Sequence, residues 1–317
     1  MLPEKDGKMS QTYFQKRIIV CVIALLCTAL WGSAFPCIKI GYSLFAIDSA
    51  DAASAILFAG IRFCGAGVLV ILFGSIGQRR FLLPKRTSWG RILVLSVCQT
   101  IVQYLFFYLA LAHTTAVKSS ILEGAGTLFA ILFACFLFRQ ESMTASKLSG
   151  IIVGFVGIVL VNLTGGGLTI EFTLTGEGFM IISTVSSALS AVFLKIFSEK
   201  DAPVMLSGYQ FLIGGAVLTA VGTALGGHLS SLSAQGILLL IYMMLISAVA
   251  YSLWGILLKY NSVSRITIFG FMIQVFGSLF SALLLREAGS ISAMTILALI
   301  LVCGGIFLVN RESKAKA

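Results

Sequence analysis

The sequence predicts an all-α polytopic membrane protein of ten transmembrane helices arranged as two inverted five-helix repeats. Three observations lead there. Hydrophobic residues make up 58% of the 317 and charged residues only 11%. The apolar residues gather in ten stretches, each long enough to cross a bilayer. Short segments of the first half return in the second, in the same order and at nearly one offset. A soluble domain is roughly 45–50% apolar and about 25% charged. Here 22 Lys and Arg with 12 Asp and Glu cannot cover a soluble fold of this length. A soluble enzyme, a disordered chain and a nucleic-acid-binding domain are therefore excluded.

A hydrocarbon core about 30 Å thick takes roughly 20 helical residues to cross, because only helices or closed barrels satisfy every backbone group there. The stretches are too uniformly apolar for barrel strands, which alternate with period two. Span one, 18–40, follows a basic arm, is kinked by Pro36 and carries Lys39 towards its far end. Span two, 52–77, contains Arg62. Span three, 89–112, starts at Trp89, an interfacial anchor, and carries Gln99, Gln103, Tyr104 and Tyr108. Span four, 119–138, holds Glu123 and Thr127. Span five, 145–163, has Gly150 and Gly154 in a GxxxG pattern, which reads as close helix packing or a dimer face. Span six, 178–197, bears Ser183, Ser186, Ser187 and Ser190 on one stripe. Span seven, 204–226, contains Gln210; span eight, 236–258, Tyr251 and Trp254; span nine, 266–285, Gln274. Span ten, 291–310, ends before Arg311. A cleaved signal peptide is the competing reading of the first 33 residues, but the apolar run continues past its small-residue site. The seven cysteines all lie inside apolar stretches and read as small buried hydrophobes, with no metal or cofactor expected.

Of the 22 Lys and Arg, 18 fall on the side of the N-terminal arm, and only Lys39, Arg62, Lys118 and Arg286 fall elsewhere. By the positive-inside rule both termini face the cytoplasm, in the cell membrane. The net charge of +10 is thus topology rather than affinity for nucleic acid. Gly157-Ile158-Val159-Leu160-Val161-Asn162 returns 148 residues on as Gly305-Ile306-Phe307-Leu308-Val309-Asn310. Gly60-Ile61-Arg62-Phe63 matches Gly208-Tyr209-Gln210-Phe211 at the same offset, and Tyr104 matches Tyr251 and Lys118 matches Arg265 at 147. The organisation is then a cytoplasmic arm (1–17), a first repeat (18–165), a second (172–311) and a cytoplasmic tail (312–317). An odd number of spans per repeat inverts the second copy, placing a pseudo-two-fold axis in the membrane plane and a binding site near the midplane.

Trp31-Gly32-Ser33-Ala34-Phe35 with Lys39, Ala110-Leu111-Ala112, Phe138-Arg139-Gln140-Glu141, and Gly150, Gly154 and Gly157 carry a resemblance to the drug/metabolite transporter superfamily. Specifically, the chain resembles the EamA-type permeases with two five-span repeats, over residues 18–311. It departs from them in having Thr127 where a proline stands in the middle of span four. The resemblance implies export or import of amino acids, metabolites or hydrophobic drugs.

Ionisable groups inside hydrocarbon are functional candidates by default. Arg62 lies inside span two and Glu123 about one turn inside span four, on the same side of the midplane. Their pairing would form either a gated polar patch at the cavity mouth or a structural ion pair. Glu123 is the candidate coupling carboxylate, for a proton or sodium; Lys39 snorkels to the headgroups, or else touches a gate. Cavity lining is expected from Gln99, Gln103, Tyr104, Thr127, Ser187, Tyr251, Trp254 and Gln274 beside the two charged groups, since amides facing lipid would be unsatisfied. For the serine stripe close helix approach is the first reading. No nucleophile, metal cluster or nucleotide loop supports an enzyme or an ATP-driven pump. What remains is a secondary transporter of a small organic solute, by preference an exporter, as monomer or homodimer. A channel or a membrane scaffold or receptor is the alternative. An alkaline-phosphatase fusion at Asp48 is expected to be enzymatically active; an inactive fusion would reverse the orientation.

Overall fold

The computed structural model describes residues 12–48, 50–111, 113–114, 116–163, 172–231, 233–285 and 293–311, and among these every regular element is helical. Ten helical units follow one another. They are α1 (Arg17–Phe45), α2 (Ala52–Gly77), α3 (Arg86–Leu111), α4 (Ala116–Leu132, extended by Phe133–Leu137), α5 (Ala145–Leu163), α6 (Leu174–Phe197), α7 (Pro203–Ala224), α8 (Ala234–Tyr260), α9 (Val263–Thr267, Ile268–Gly270 and Phe271–Leu285) and α10 (Ala293–Arg311). Eight pass as long apolar helices; α5 and α10 are the two with shorter apolar windows. The protein is a multi-pass membrane protein.

Caps and breaks set the ends. Asp51 opens α2 by accepting from the Ser54 amide at 3.0 Å, and the Ser54 hydroxyl and amide hold its carboxyl below the usual carboxylate range. Ser233 opens α8 in the same way, on the Gly236 amide. Pro203 begins α7, where its missing N–H costs nothing. The α1 helix continues through Pro36 to Phe45, and Ala46 closes it in the left-handed region.

Helix pairing is ordered. The α2 helix lies along α7, α5 along α10, α1 along α9 and α8, and α6 along α4 and α3. Shifting each helix number by five, with wrap-around, maps this set onto itself. Two of the seams bring backbones together. A Cβ on Gly60 would lie 2.4 Å from the Thr219 amide nitrogen, and one on Gly215 2.4 Å from that of Cys64. In the second seam, a Cβ on Gly150 would meet the Gly305 carbonyl oxygen at 2.7 Å, and one on Gly305 the Gly150 oxygen at 2.6 Å. Lipid tails are as apolar as leucine, so helices associate through close van der Waals approach of this kind. Of the two readings of Gly150, packing within the chain is the one observed; its seam with α10 leaves it unavailable as a dimer face.

Carboxylates tie the helix ends. At the face where α1 begins, Glu141 accepts from Lys147 Nζ at 2.8 Å and from both the amide and the hydroxyl of Ser264. At the same face Asp201 accepts from Ser88 Oγ at 2.7 Å and pairs with Arg91. At the opposite face Glu177 gathers Thr114 Oγ1 at 2.6 Å, Lys118 Nζ at 2.9 Å, and the Thr173 amide and hydroxyl. Inserting even a methyl into the first glycine seam forces backbone apart, an overpacking cost of about 1–3 kcal/mol. Gly60→Ala and Gly215→Ala should therefore each lower the melting temperature in detergent, whereas Gly90→Ala, with open space around it, should not. Equal melting temperatures for all three would refute the seam.

Candidate functional site

A cavity of about 190 Å³ lies in the bundle, walled by α1, α2, α3, α4, α6, α8 and α9. The α5, α7 and α10 helices stay outside its lining. Arg62 follows Ala52 by ten residues, so at 1.5 Å per residue it sits about 15 Å along α2 from its start. All ten residues expected from the sequence to line a cavity border this one space. Lys39 does not; it is exposed in the last two turns of α1.

The expected pairing of Arg62 with Glu123 is absent. Among the described residues neither group has an ion-pair partner, although both border the cavity. The reason is local. The Arg62 guanidinium lies over the Phe63 ring, 4.3 Å from its centroid, and 5.7 Å from that of Tyr104. Glu123 lines the same cavity as Gln274 of α9, whose Oε1 accepts from Ser120 Oγ at 2.6 Å.

Tyr104 and Tyr251 meet across the cavity with hydroxyls 2.9 Å apart. Trp31 packs edge-on against Tyr251 and Trp254, with centroids 4.8 and 5.0 Å away. This wall of rings faces the charged groups. Thr127 donates to the Thr267 carbonyl where α9 tightens at Ile268–Gly270. Gln99 accepts from Gln210 Nε2 at 3.1 Å, and Gln210 Oε1 in turn accepts from Thr100 Oγ1 at 2.8 Å. Gln210 holds the position 148 residues beyond Arg62, fully buried and with both ends of its amide occupied. Four lining residues keep a buried polar atom without a hydrogen-bond partner: Trp31 Nε1, Arg62 Nε, Gln103 Oε1 and the Tyr108 hydroxyl.

The serine stripe of α6 does more than allow close approach. From Ser96 to Val102 α3 widens into a π-helix, which displaces its carbonyls from the ordinary ladder. Ser186 Oγ donates to the Cys98 carbonyl and Ser183 Oγ to that of Gln103, each at 2.7 Å. Ser187 and Ser190 continue the stripe into the cavity wall. Sequence periodicity presumes 3.6 residues per turn and gives no sign of the widened segment. It also passes over Phe35, Phe107, Ser247 and Thr267, which complete the lining and look like ordinary span residues. Among the described residues no cluster of His, Cys, Asp and Glu could hold a metal ion.

A sequence model of the EamA-like transporter family matches residues 18–163 and again 174–311. A WAT1-related chloroplastic protein of Arabidopsis thaliana is 26% identical over 80% of this chain, which spans 62% of that protein's length. A probable amino-acid metabolite efflux pump of Escherichia coli is 25% identical over 90% of this chain and 93% of its own. One solved crystal structure superposes with a TM-score of 0.76 over 93% of this chain and 98% of that one; at 16% identity the likeness is one of fold.

Hydroxyl-to-carbonyl bonds between transmembrane helices average about 0.6 kcal/mol, with a maximum of about 1.7. The double substitution Ser183→Ala and Ser186→Ala should therefore lower the melting temperature by a few degrees and increase proteolysis near Gln99. An unchanged double variant would show that α3 holds its π segment without α6.

Proposed function

Since the chain belongs to the EamA-like transporter family, we propose that it is a secondary transporter moving a small organic solute across the cell membrane by alternating access, in the direction of export. The observation that carries this reading is the cavity itself. It lies inside the bundle, walled by helices of both halves, with polar atoms left unpartnered in its lining.

Two inverted repeats, 18–165 and 172–311, supply the second state. The reading is supported by the family model matching twice and by the helix pairings, which survive exchange of the halves. It is supported also by the bond between Tyr104 and Tyr251, 147 residues apart, because equivalent residues meet only on or near the axis relating them. If the halves hold different conformations, trading them turns the cavity to the other side. In this reading both termini face the cytoplasm, which the bias of the basic residues supports. The coupling group in this scheme is Glu123, by exchange of a proton or sodium for solute.

Size favours a metabolite over a drug. Pockets for drug-sized ligands run about 300–1,000 Å³, and this one is about 190 Å³. Export accords with the amino-acid metabolite efflux named for the E. coli relative. Reconstituted in liposomes preloaded with unlabelled solute, the protein should accumulate the labelled solute transiently by counterflow. A linear conductance without counterflow would make it a channel. If Glu123 couples transport to protons, Glu123→Gln should abolish the dependence of net transport on the pH gradient; an unchanged pH profile would remove Glu123 from that role.

A further inference from the structure

We propose that the arm ahead of α1 is a latch, in which Phe14 and Gln15 pin the start of α9 and so close the cavity towards the face where α1 begins. This adds a control to the site assigned above and rests on the transport reading for its purpose, although access to a cavity is measured without any solute. The arm leaves the line of α1. Residues 12–15 make one helical turn, Lys16 is extended at φ −60° and ψ 128°, and α1 begins only at Arg17. Arg17 Nη2 donates to the Asn310 carbonyl at 2.8 Å, which anchors the root of the arm on the end of α10.

The turn lies against the junction of α8 and α9. The Phe14 ring stacks on that of Tyr260, the last residue of α8, with centroids 5.8 Å apart and planes 4° from parallel. Gln15 Nε2 donates to the Tyr260 carbonyl at 3.0 Å. The junction grips the arm's backbone in return. Asn261 Nδ2 donates to the Phe14 carbonyl at 3.0 Å, and Arg265 Nη2 donates to that of Gln15 at 3.1 Å. Asn261 Oδ1 accepts from Arg265 Nη1 at 2.9 Å, so the two side chains hold the arm as one unit.

Arg265 sits on a lever. The α9 helix opens with five residues, Val263–Thr267, tightens to a 3-10 turn at Ile268–Gly270 and resumes at Phe271. Tightening of this kind inside a helix often marks a hinge. A Cβ on Gly270 would meet the Thr127 hydroxyl oxygen at 2.7 Å and nothing else within 4 Å, which leaves the turn room to flex. Thr267 and Gly270 both border the cavity, so lifting the five-residue segment uncovers it.

A corresponding tie is made at the opposite face. Lys118, at the start of α4 and 147 residues before Arg265, pairs with Glu177 at the start of α6 at 2.9 Å. The five-helix shift that maps the pairings onto themselves sends α4 to α9 and α6 to α1, so the arm occupies the place that Glu177 holds at the other face. The chemistry differs. Lys118 meets a carboxylate, whereas among the described residues Arg265 has only neutral acceptors and keeps a buried Nε without a partner. Bonds between two ionised groups are the stronger kind. The tie at the arm is therefore the one that yields first.

The test measures the rate at which N-ethylmaleimide reacts with a cysteine placed in the cavity lining of the purified full-length protein. Ala191→Cys reports on the end of the cavity near the arm, six residues before the end of α6, and Ile38→Cys on the other end, late in α1. Tandem mass spectrometry reads each position and separates residue 38 from its neighbour Cys37. Combined with Phe14→Ala and Gln15→Ala, position 191 should react about tenfold faster, as expected for the loss of one ring pair and one hydrogen bond, and position 38 no faster. Phe14→Trp, which keeps a ring on Tyr260, should react at the rate of the unaltered arm. An unchanged rate at 191, an equal rise at both positions, or a Phe14→Trp protein as reactive as Phe14→Ala would each overturn the latch. A linear conductance without counterflow, which ends the transport reading, would leave a selective rise at 191 standing as support for the latch.

Discussion

Inside a membrane a carbonyl, hydroxyl or amide finds its hydrogen-bond partner within the protein or goes without. That constraint shapes most of what this chain does. It makes every described regular element a helix, and it explains why the π segment of α3 faces the serines of α6, whose hydroxyls donate to its carbonyls. It also explains the buried amide chain of Gln99, Gln210 and Thr100. Among the described residues, four of the seven with an unpartnered buried side-chain atom border the cavity. Polar satisfaction is nearly complete elsewhere and lapses where a solute would sit.

The two halves are alike in scaffold and unlike in chemistry. Phe63 and Phe211, 148 residues apart, stack on each other at 5.2 Å, and Tyr104 and Tyr251 share a bond. Beside these matched pairs the charged positions are unmatched. Arg62 faces the cavity, whereas Gln210 is turned into the protein with its amide filled. On the proposed scheme the halves share one set of motions while the first alone brings Arg62 and Glu123 to the lining. On that scheme a duplicated frame keeps its helix packing because both copies need it.

The helices were legible in the sequence because hydrocarbon thickness fixes a length, and length is what a sequence displays most directly. The polar residues within the spans were legible as a set, since each is conspicuous against Leu, Ile and Val, and the structure gathers them around one space. Their partners were not. Spacing places Arg62 and Glu123 on the same side of the midplane but says nothing of the Phe63 ring over which the Arg62 guanidinium lies. Gly150 and Gly154 announce close packing without naming α10. Glu177, the hub at the start of α6, reads as an ordinary loop carboxylate because the threonines and lysine that surround it come from three separate segments.

The glycine seam between α2 and α7 has a mechanical consequence. Two backbones so close that a methyl would strike an amide at 2.4 Å cannot part without opening a void along their length, nor slide without driving neighbouring side chains into the gap. The pair acts as a spindle. Arg62 is mounted on it and Glu123 is not, so any swing of α4 about that spindle changes the spacing of the two charges. The distance between the cavity's two ionisable side chains is then set by how α4 packs against that pair.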